Sequence, residues 1–380
     1  MILDRRLAKM FRREPLKFRG PARTIQLARL RLKILSICLG LCLSCSFAGP
    51  LYAQIYQFRN YTAGDGLSDN FVFEIHQDRK GFIWFATSIG ISRYDGVEFK
   101  NFTINDGLVN NAVRHIYEDR RGRLWFSTAG GLSGFENGQF KNYTRQDGLP
   151  HDFVQVVLED SKGNFWIGTR GGGISYFDGL RFTNYGEREG LKGKTVWSLL
   201  LDPEGILWIG SSEVGLHRYD GKEFRTFTAR DGLPDEQIYS LRQDRDGKLW
   251  CGTGQGLCWF DGTSFHRIEV PGEKPVDVTK MFLDHRGVLW FGLYGQGLGK
   301  LEKGKVVTYR TQNGLAHNYV ISVLEDREGN IWAGTQGGGV SKFVGERFAN
   351  FTSAQGLCPG LIHAIAQDSK GSHWFGSHES

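Results

Sequence analysis

The sequence predicts an all-β protein assembled from repeated four-stranded units. Three observations carry that prediction. Tryptophans recur at Trp84, Trp125, Trp166, Trp208, Trp250, Trp290, Trp332 and Trp374, spaced by 41, 41, 42, 42, 40, 42 and 42 residues. Each closes the same frame, Asp-x-x-Gly-x-x-Trp, from Asp78–Trp84 to Asp368–Trp374. The composition fits tight turns between short strands: 52 glycines in 380 residues, about twice the ~7% usual in globular chains, with 27 Phe, 13 Tyr, 10 Trp and only 9 Pro.

Within each unit four strands, A to D, can be placed. Strand A precedes the Asp, as in Val113–Glu118. Asp-x-x-Gly has the residue pattern of a type I turn, with Asp first and Gly last. Strand B carries the Trp, as in Trp166–Thr169. A glycine-rich turn such as Arg170-Gly171-Gly172-Gly173 leads to strand C, Ile174–Phe177. Asp178-Gly179 then signals a hairpin into strand D, Arg181–Tyr185. Asp-Gly-Leu links one unit to the next at Asp65, Asp106, Asp147 and Asp231. It weakens to Glu189-Gly190-Leu191, Asn313-Gly314-Leu315 and Gln355-Gly356-Leu357, and is lost near Pro271-Gly272.

Four strands per ~41 residues is the arithmetic of a β-propeller blade, and no unit has room for the two helices of a solenoid. One residue type held at one phase in every unit reads as core, so the tryptophans are expected to wedge between blades. Phe58-Arg59-Asn60-Tyr61-Thr62 matches Phe99–Thr103 and reads as a strand D lacking its own A–B–C. Counting D–A–B–C as the period gives seven full units over residues 54–344. Residues 345–380 are then an incomplete eighth repeat, the start of a second propeller. The alternative is an eight-bladed ring, with the N-terminal strand D pairing the last A–B.

Residues 1–53 read as a targeting segment. Basic residues run to Lys33, an apolar stretch spans Ile34–Ala48, and Gly49-Pro50-Leu51-Tyr52-Ala53 supplies small residues before Gln54. This is a secretory signal pattern with cleavage after Ala53, and a retained anchor is the alternative. Phe11-Arg12-Arg13 faintly resembles a twin-arginine signal. The formal charge of +6 belongs to this segment. It holds eleven Lys/Arg against Asp4 and Glu14, leaving 36 basic and 39 acidic side chains for residues 54–380. No basic stripe remains to grip a phosphate backbone, which argues against nucleic acid as a partner. Cys38, Cys42 and Cys45 lie in the leader, and Cys251, Cys258 and Cys358 remain, without zinc-binding spacing. A two-residue turn at Gly254-Gln255 would place Cys251 opposite Cys258. Free thiols are the expected state, and a disulfide the alternative.

The combined pattern of Asp-Gly-Leu, a Val-x-x-Ile strand, Asp-x-x-Gly-x-x-Trp-x-Gly-Thr and Tyr-Asp-Gly resembles the two-component regulator propeller repeat over essentially residues 55–380. The resemblance implies the periplasmic sensor region of bacterial two-component proteins, often hybrid histidine kinases. In that family paired seven-bladed rings precede an immunoglobulin-like domain, a membrane helix and the kinase. Its ligands tend to be breakdown products of polysaccharides. The sequence given ends at Ser380, so the expectation is the N-terminal sensor part of such a protein, exported to the periplasm, without transmembrane or output segments. Membrane attachment would then come only through a missing C-terminal segment or an uncleaved signal, and a homodimer is conceivable.

D–A and B–C links share one face of a propeller, and A–B and C–D turns share the other. The A–B and C–D turns are nearly uniform and read as structural. The B–C turns vary, with Ser88, Ala129, Arg170, Glu213, Gln255, Tyr294 and Gln336 at equivalent positions. A ring of dissimilar polar groups around a channel mouth suits a small polar ligand. Arg170, Glu213, Gln255, Tyr294 and Gln336 are therefore the candidate ligand-binding residues, for a small molecule such as an oligosaccharide, with no cofactor. An enzyme acting on carbohydrate is the alternative. No Gly-x-Ser-x-Gly or His-Glu-x-x-His occurs, and no glycosidase carboxylate pair can be chosen from 39 acids.

Overall fold

The computed structural model describes residues 58–271 and 275–344, together with two further strands, Ile362–Gln367 and His373–Ser377. The leader assignment on residues 1–53 and the Pro271-Gly272 link lie wholly or partly outside the described residues, as does Cys358.

Each repeat is organised by its aspartate. In the first, Asp78 Oδ1 accepts from the backbone N–H of Lys80 (2.9 Å) and Phe82 (3.0 Å). Gly81 N–H donates to Asp78 O at 2.9 Å, with Gly81 at φ 96°, a left-handed conformation that favours glycine. The other oxygen, Oδ2, accepts from the Trp84 indole N–H at 2.7 Å. One side chain therefore closes the A–B turn and holds the tryptophan of strand B. The same indole bond recurs at Asp119–Trp125 (3.0 Å), Asp202–Trp208 (2.8 Å), Asp244–Trp250 (2.8 Å), Asp284–Trp290 (3.1 Å) and Asp326–Trp332 (2.7 Å). In the third repeat the Tyr176 hydroxyl donates to Asp160 Oδ2 instead, at 2.8 Å.

Seven four-stranded antiparallel sheets result. Blade 1 comprises Val72–Gln77, Ile83–Thr87, Ile91–Tyr94 and Phe99–Phe102. The A strands of blades 2 to 7 are Val113–Glu118, Val154–Glu159, Val196–Leu201, Ile238–Gln243, Val278–Leu283 and Val320–Glu325. Neighbouring A strands touch in cyclic order, and blade 7 returns to blade 1. Ring closure uses the N-terminal strand Phe58–Tyr61, which pairs strand C of blade 7 in the register Phe58↔Phe343 to Tyr61↔Val340. The ring is thus seven-bladed, and the eight-bladed alternative is not formed. Phe58–Tyr61 finds a full-length antiparallel partner in Val340–Phe343, which leaves no open edge there for an eighth blade. Ile362–Gln367 and His373–Ser377 form their own two-stranded sheet with the same A–B register.

Closure repeats the bonds found between the other blades. Arg79 Nη1 donates to Arg120 O (2.6 Å) and Arg120 Nη1 to Ser161 O (2.7 Å), while Arg327 Nη1 reaches Arg79 O (3.1 Å) across the seam. Ser133 Oγ donates to Asn142 Oδ1 within blade 2 at 2.7 Å, and Ser341 Oγ does the same to Asn60, 281 residues away in sequence.

The tryptophans do lie between blades. Trp84 clusters with Val113, Ile116, Leu124 and Phe126 of blade 2, and Trp332 with Val72, Ile75 and Phe85 of blade 1. All seven in the ring are at most 9% exposed. The Asp-Gly-Leu links form 3₁₀ turns in which Asp65 Oδ2 accepts Thr62 N–H at 2.8 Å, Gly66 takes φ 104° and Leu67 is buried. Cys251 and Cys258 face one another in the B–C hairpin of blade 5, as free and fully buried thiols. The hydrogen bond with Cys258, and then burial, push the Cys251 thiol well above its usual pKa, so it is unreactive.

Trp125 is fully buried and bonded to Asp119, so Trp125→Ala should cost about 3–5 kcal/mol through lost burial and a residual cavity. Urea melts measure this, and a loss below about 1 kcal/mol would contradict the wedge role. Alkylation under non-reducing, denaturing conditions should modify both Cys251 and Cys258, whereas native protein should resist. A covalently linked peptide pair would contradict the free-thiol state.

Candidate functional site at the channel mouth

A single irregularity repeated around the ring builds the site. In six A strands the ladder shifts between the first and third residues: Val72/Glu74, Val113/His115, Val154/Val156, Val196/Ser198, Ile238/Ser240 and Val320/Ser322. In blade 6 the shift spans Val278/Met281. The first residue stays in the core while the bulge re-aims the next one. Those next residues are Phe73, Arg114, Gln155, Trp197, Tyr239, Thr279 and Ile321, and all seven line one cavity of about 480 Å³. Phe71, Asp277, Tyr294 and Gln336 continue its wall from the D–A and B–C links.

Charged groups occupy the next layer. Lys280 Nζ of blade 6 lies 2.5 Å from Glu74 Oε2 of blade 1, an ion pair spanning the intervening blade 7. His115 lines the same cavity, and its Nδ1 is buried without a hydrogen-bond partner. Burial, and then the Lys280, Arg242 and His76 charges, hold the His115 pKa well below the usual imidazole value, so it is neutral at pH 7. Nearer the mouth, the Tyr239 hydroxyl donates to Gln237 Oε1 at 2.7 Å and lies 3.4 Å from Asp277 Oδ2. Burial and the Asp277 charge raise the Tyr239 pKa to about 12. Burial also raises Asp277, with Tyr239 opposing and Asp235 adding to the shift.

The candidates taken from the B–C turns fare unequally. Tyr294 and Gln336 are walls of the cavity, and the Tyr294 hydroxyl donates to Gln336 Oε1 at 2.7 Å. Arg170 is exposed, with its guanidinium 5.4 Å from the Phe153 ring centre and 5.9 Å from that of Trp197. Glu213 and Gln255 are exposed turn residues that do not contribute to the cavity wall. Sequence reasoning missed the bulge ring. The available signal was the position after the constant Val or Ile of strand A, which differs in every repeat while the residue before it stays Val or Ile. Among the described residues no group of three or more His, Cys, Asp or Glu side chains is placed to hold a metal ion.

Six segments, residues 66–88, 107–130, 148–171, 190–213, 232–255 and 314–337, match the family described as two component regulator propeller. Six of the seven blades of the ring therefore contain two-component regulator propeller repeats. No curated protein sequence matches it. Among solved structures, the extracellular domain assigned to hybrid two-component system BT3049 of B. thetaiotaomicron superposes with a TM-score of 0.69 at 23% identity, covering 85% of this chain and 47% of that one. The extracellular domain assigned to one-component system BT4673 of the same organism gives 0.66 at 21%, covering 86% and 46%. Virginiamycin B lyase from Staphylococcus aureus gives 0.63 at 16%, covering 76% and 98%. At these identities the likeness is one of fold. The chain spans about half the length of the two sensor-system domains.

Above pH ~6.5 the folded and unfolded chains both keep residue 115 neutral. Below it the unfolded chain binds a proton that folded His115 refuses, so stability falls as pH falls toward the depressed folded value. His115→Gln should remove up to about 1.4 kcal/mol of that loss per pH unit. Paired urea melts at pH 7 and pH 5 test this, and an unchanged pH slope would mean His115 titrates normally.

Proposed function

We propose that this chain is an extracytoplasmic ligand-sensing propeller, the N-terminal sensor part of a two-component signal transduction protein, and that a small oligosaccharide binds at its channel mouth. The observation that carries this reading is the bulge ring. Seven successive blades each project a different residue into one open cavity, and a structural ring would have no use for that variety. Trp197, Tyr239 and Tyr294 offer flat apolar faces, and Gln155, Thr279, Asp277 and Gln336 offer hydrogen-bonding groups around them. Aromatic faces ringed by a few polar groups suit a sugar. The repeat family and the sensor-system extracellular domains among the similar structures support the signalling context. Tyr294, Gln336 and Arg170 are assigned to binding, with Glu213 and Gln255 on the outer rim. The lyase likeness rests on the fold alone, and no observation at the site favours an enzyme.

The test is a thermal-shift screen of the purified chain against an oligosaccharide panel. A true ligand at 100 times its Kd should stabilise by about 2.7 kcal/mol. Trp197→Ala should abolish the shift and Gln255→Ala should keep it. An equal shift in Trp197→Ala would place binding elsewhere, and no shift from any saccharide would overturn the reading.

A further inference from the structure

One corner of the cavity, formed by blades 2 to 4, presents hydrogen-bond donors without acceptors. Arg114 Nε and Trp197 Nε1 are both buried and both lack a hydrogen-bond partner. The Arg114 guanidinium lies 3.8 Å from the Phe73 ring centre and 5.3 Å from that of Phe153. Arg170 stands on the other aromatic neighbours, 5.4 Å from Phe153 and 5.9 Å from Trp197. The two arginines thus share the Phe153 ring. Neither makes an ion pair among the described residues. Glu74, the carboxylate deeper in the channel, is already engaged by Lys280. Burial lowers the Arg114 pKa, and the neighbouring Arg170 charge lowers it further. Two like charges held together beside an unpaired indole N–H are costly unless an anion completes them.

Resting on the sugar-sensing reading above, we infer that this Arg114–Arg170–Trp197 corner binds the carboxylate of an acidic saccharide, a uronate. Guanidinium groups recognise carboxylates through charge-assisted bonds, and their aromatic supports hold them in place. The opposite wall has the opposite character. Asp277, with Tyr239 beside it and Tyr294 on the same wall, supplies acceptors on blades 5 and 6. The site is therefore polar end to end. The carboxylate points to blades 2–4 and the sugar hydroxyls to Asp277. A neutral sugar would offer the donors hydroxyl oxygens but no charge to offset the two guanidinium groups.

Isothermal titration of the full chain with trigalacturonate, maltotriose and galactose 6-sulfate tests this. Trigalacturonate should bind at least 10-fold more tightly than maltotriose, and the preference should weaken with added salt. Arg170→Gln, at an exposed position, should reduce trigalacturonate affinity about 10-fold, with the free protein melting no lower than the unsubstituted chain because the substitution relieves a like-charge contact. Trp197→Phe keeps a ring but removes the N–H, and should reduce it further than it reduces maltotriose binding. Equal binding of the neutral and acidic sugars, unaffected by Arg170→Gln, would overturn the uronate inference while leaving the sensing function intact. Binding of galactose 6-sulfate but not trigalacturonate would overturn the carboxylate assignment, and binding of none of the three would overturn the inference outright.

Discussion

The carboxylate that joins the A–B turn to the strand B tryptophan is the interaction on which the propeller depends. Its Oδ1 bonds two backbone N–H groups and its Oδ2 bonds the indole, so turn geometry and inter-blade packing are set by one side chain. The carboxylates are nearly buried, at 1–8% exposure for Asp78, Asp119, Asp160, Asp284 and Asp326. A buried carboxylate is tolerable only with its lone pairs occupied. The backbone and indole donors occupy them, which is why Asp, Gly and Trp recur together at constant spacing. In blade 3 the Tyr176 hydroxyl occupies Oδ2 instead, and the turn survives. What matters is a donor at that oxygen rather than the indole itself.

Given this wedge, the ring is a sum of like interfaces, and closure is the one non-local event. Phe58–Tyr61 must find Val340–Phe343 across almost the whole described chain. The closing blade uses the same Ser–Asn bond, arginine latch and tryptophan contacts as the continuous ones. Tyr61 stacks on Trp332 at 5.6 Å, joining the closing strand to the wedge beside it. Closure therefore needs no special chemistry, only a repeat permuted by one strand.

The site exploits the part of each blade that packing leaves free. The bulge takes one residue per A strand out of the ladder and turns it into the channel, where neither turn geometry nor core volume constrains it. The channel has consequently accumulated varied chemistry: an ion pair between non-adjacent blades, a neutral buried imidazole, and an arginine resting on an aromatic ring. The glycines at strand B make this packing possible. A Cβ on Gly210 would come within 2.8 Å of Ile238 Cγ2 in the next blade's A strand.

Strand count, turn positions, the wedge tryptophans and the permuted N-terminal strand were legible in the sequence, because each is a local rule repeated many times. An Asp three residues before a Gly and six before a Trp specifies its own turn wherever it occurs. The opposition of Cys251 and Cys258 was legible for the same reason, since a two-residue hairpin turn fixes register. Blade number was not decided locally, because seven and eight units use identical interfaces, and only the pairing of Phe58–Tyr61 with Val340–Phe343 resolves it. Nor was the site. Alternation along a strand predicts which residues face the core, but a bulge breaks alternation, so Arg114 and Trp197 read as ordinary strand residues until the ladder shift is seen. Conversely, Glu213 and Gln255 looked equivalent to Tyr294 and Gln336 by position. Only the Tyr294 and Gln336 side chains line the cavity, because reach into a channel depends on side-chain direction and neighbouring loops rather than on place in the repeat.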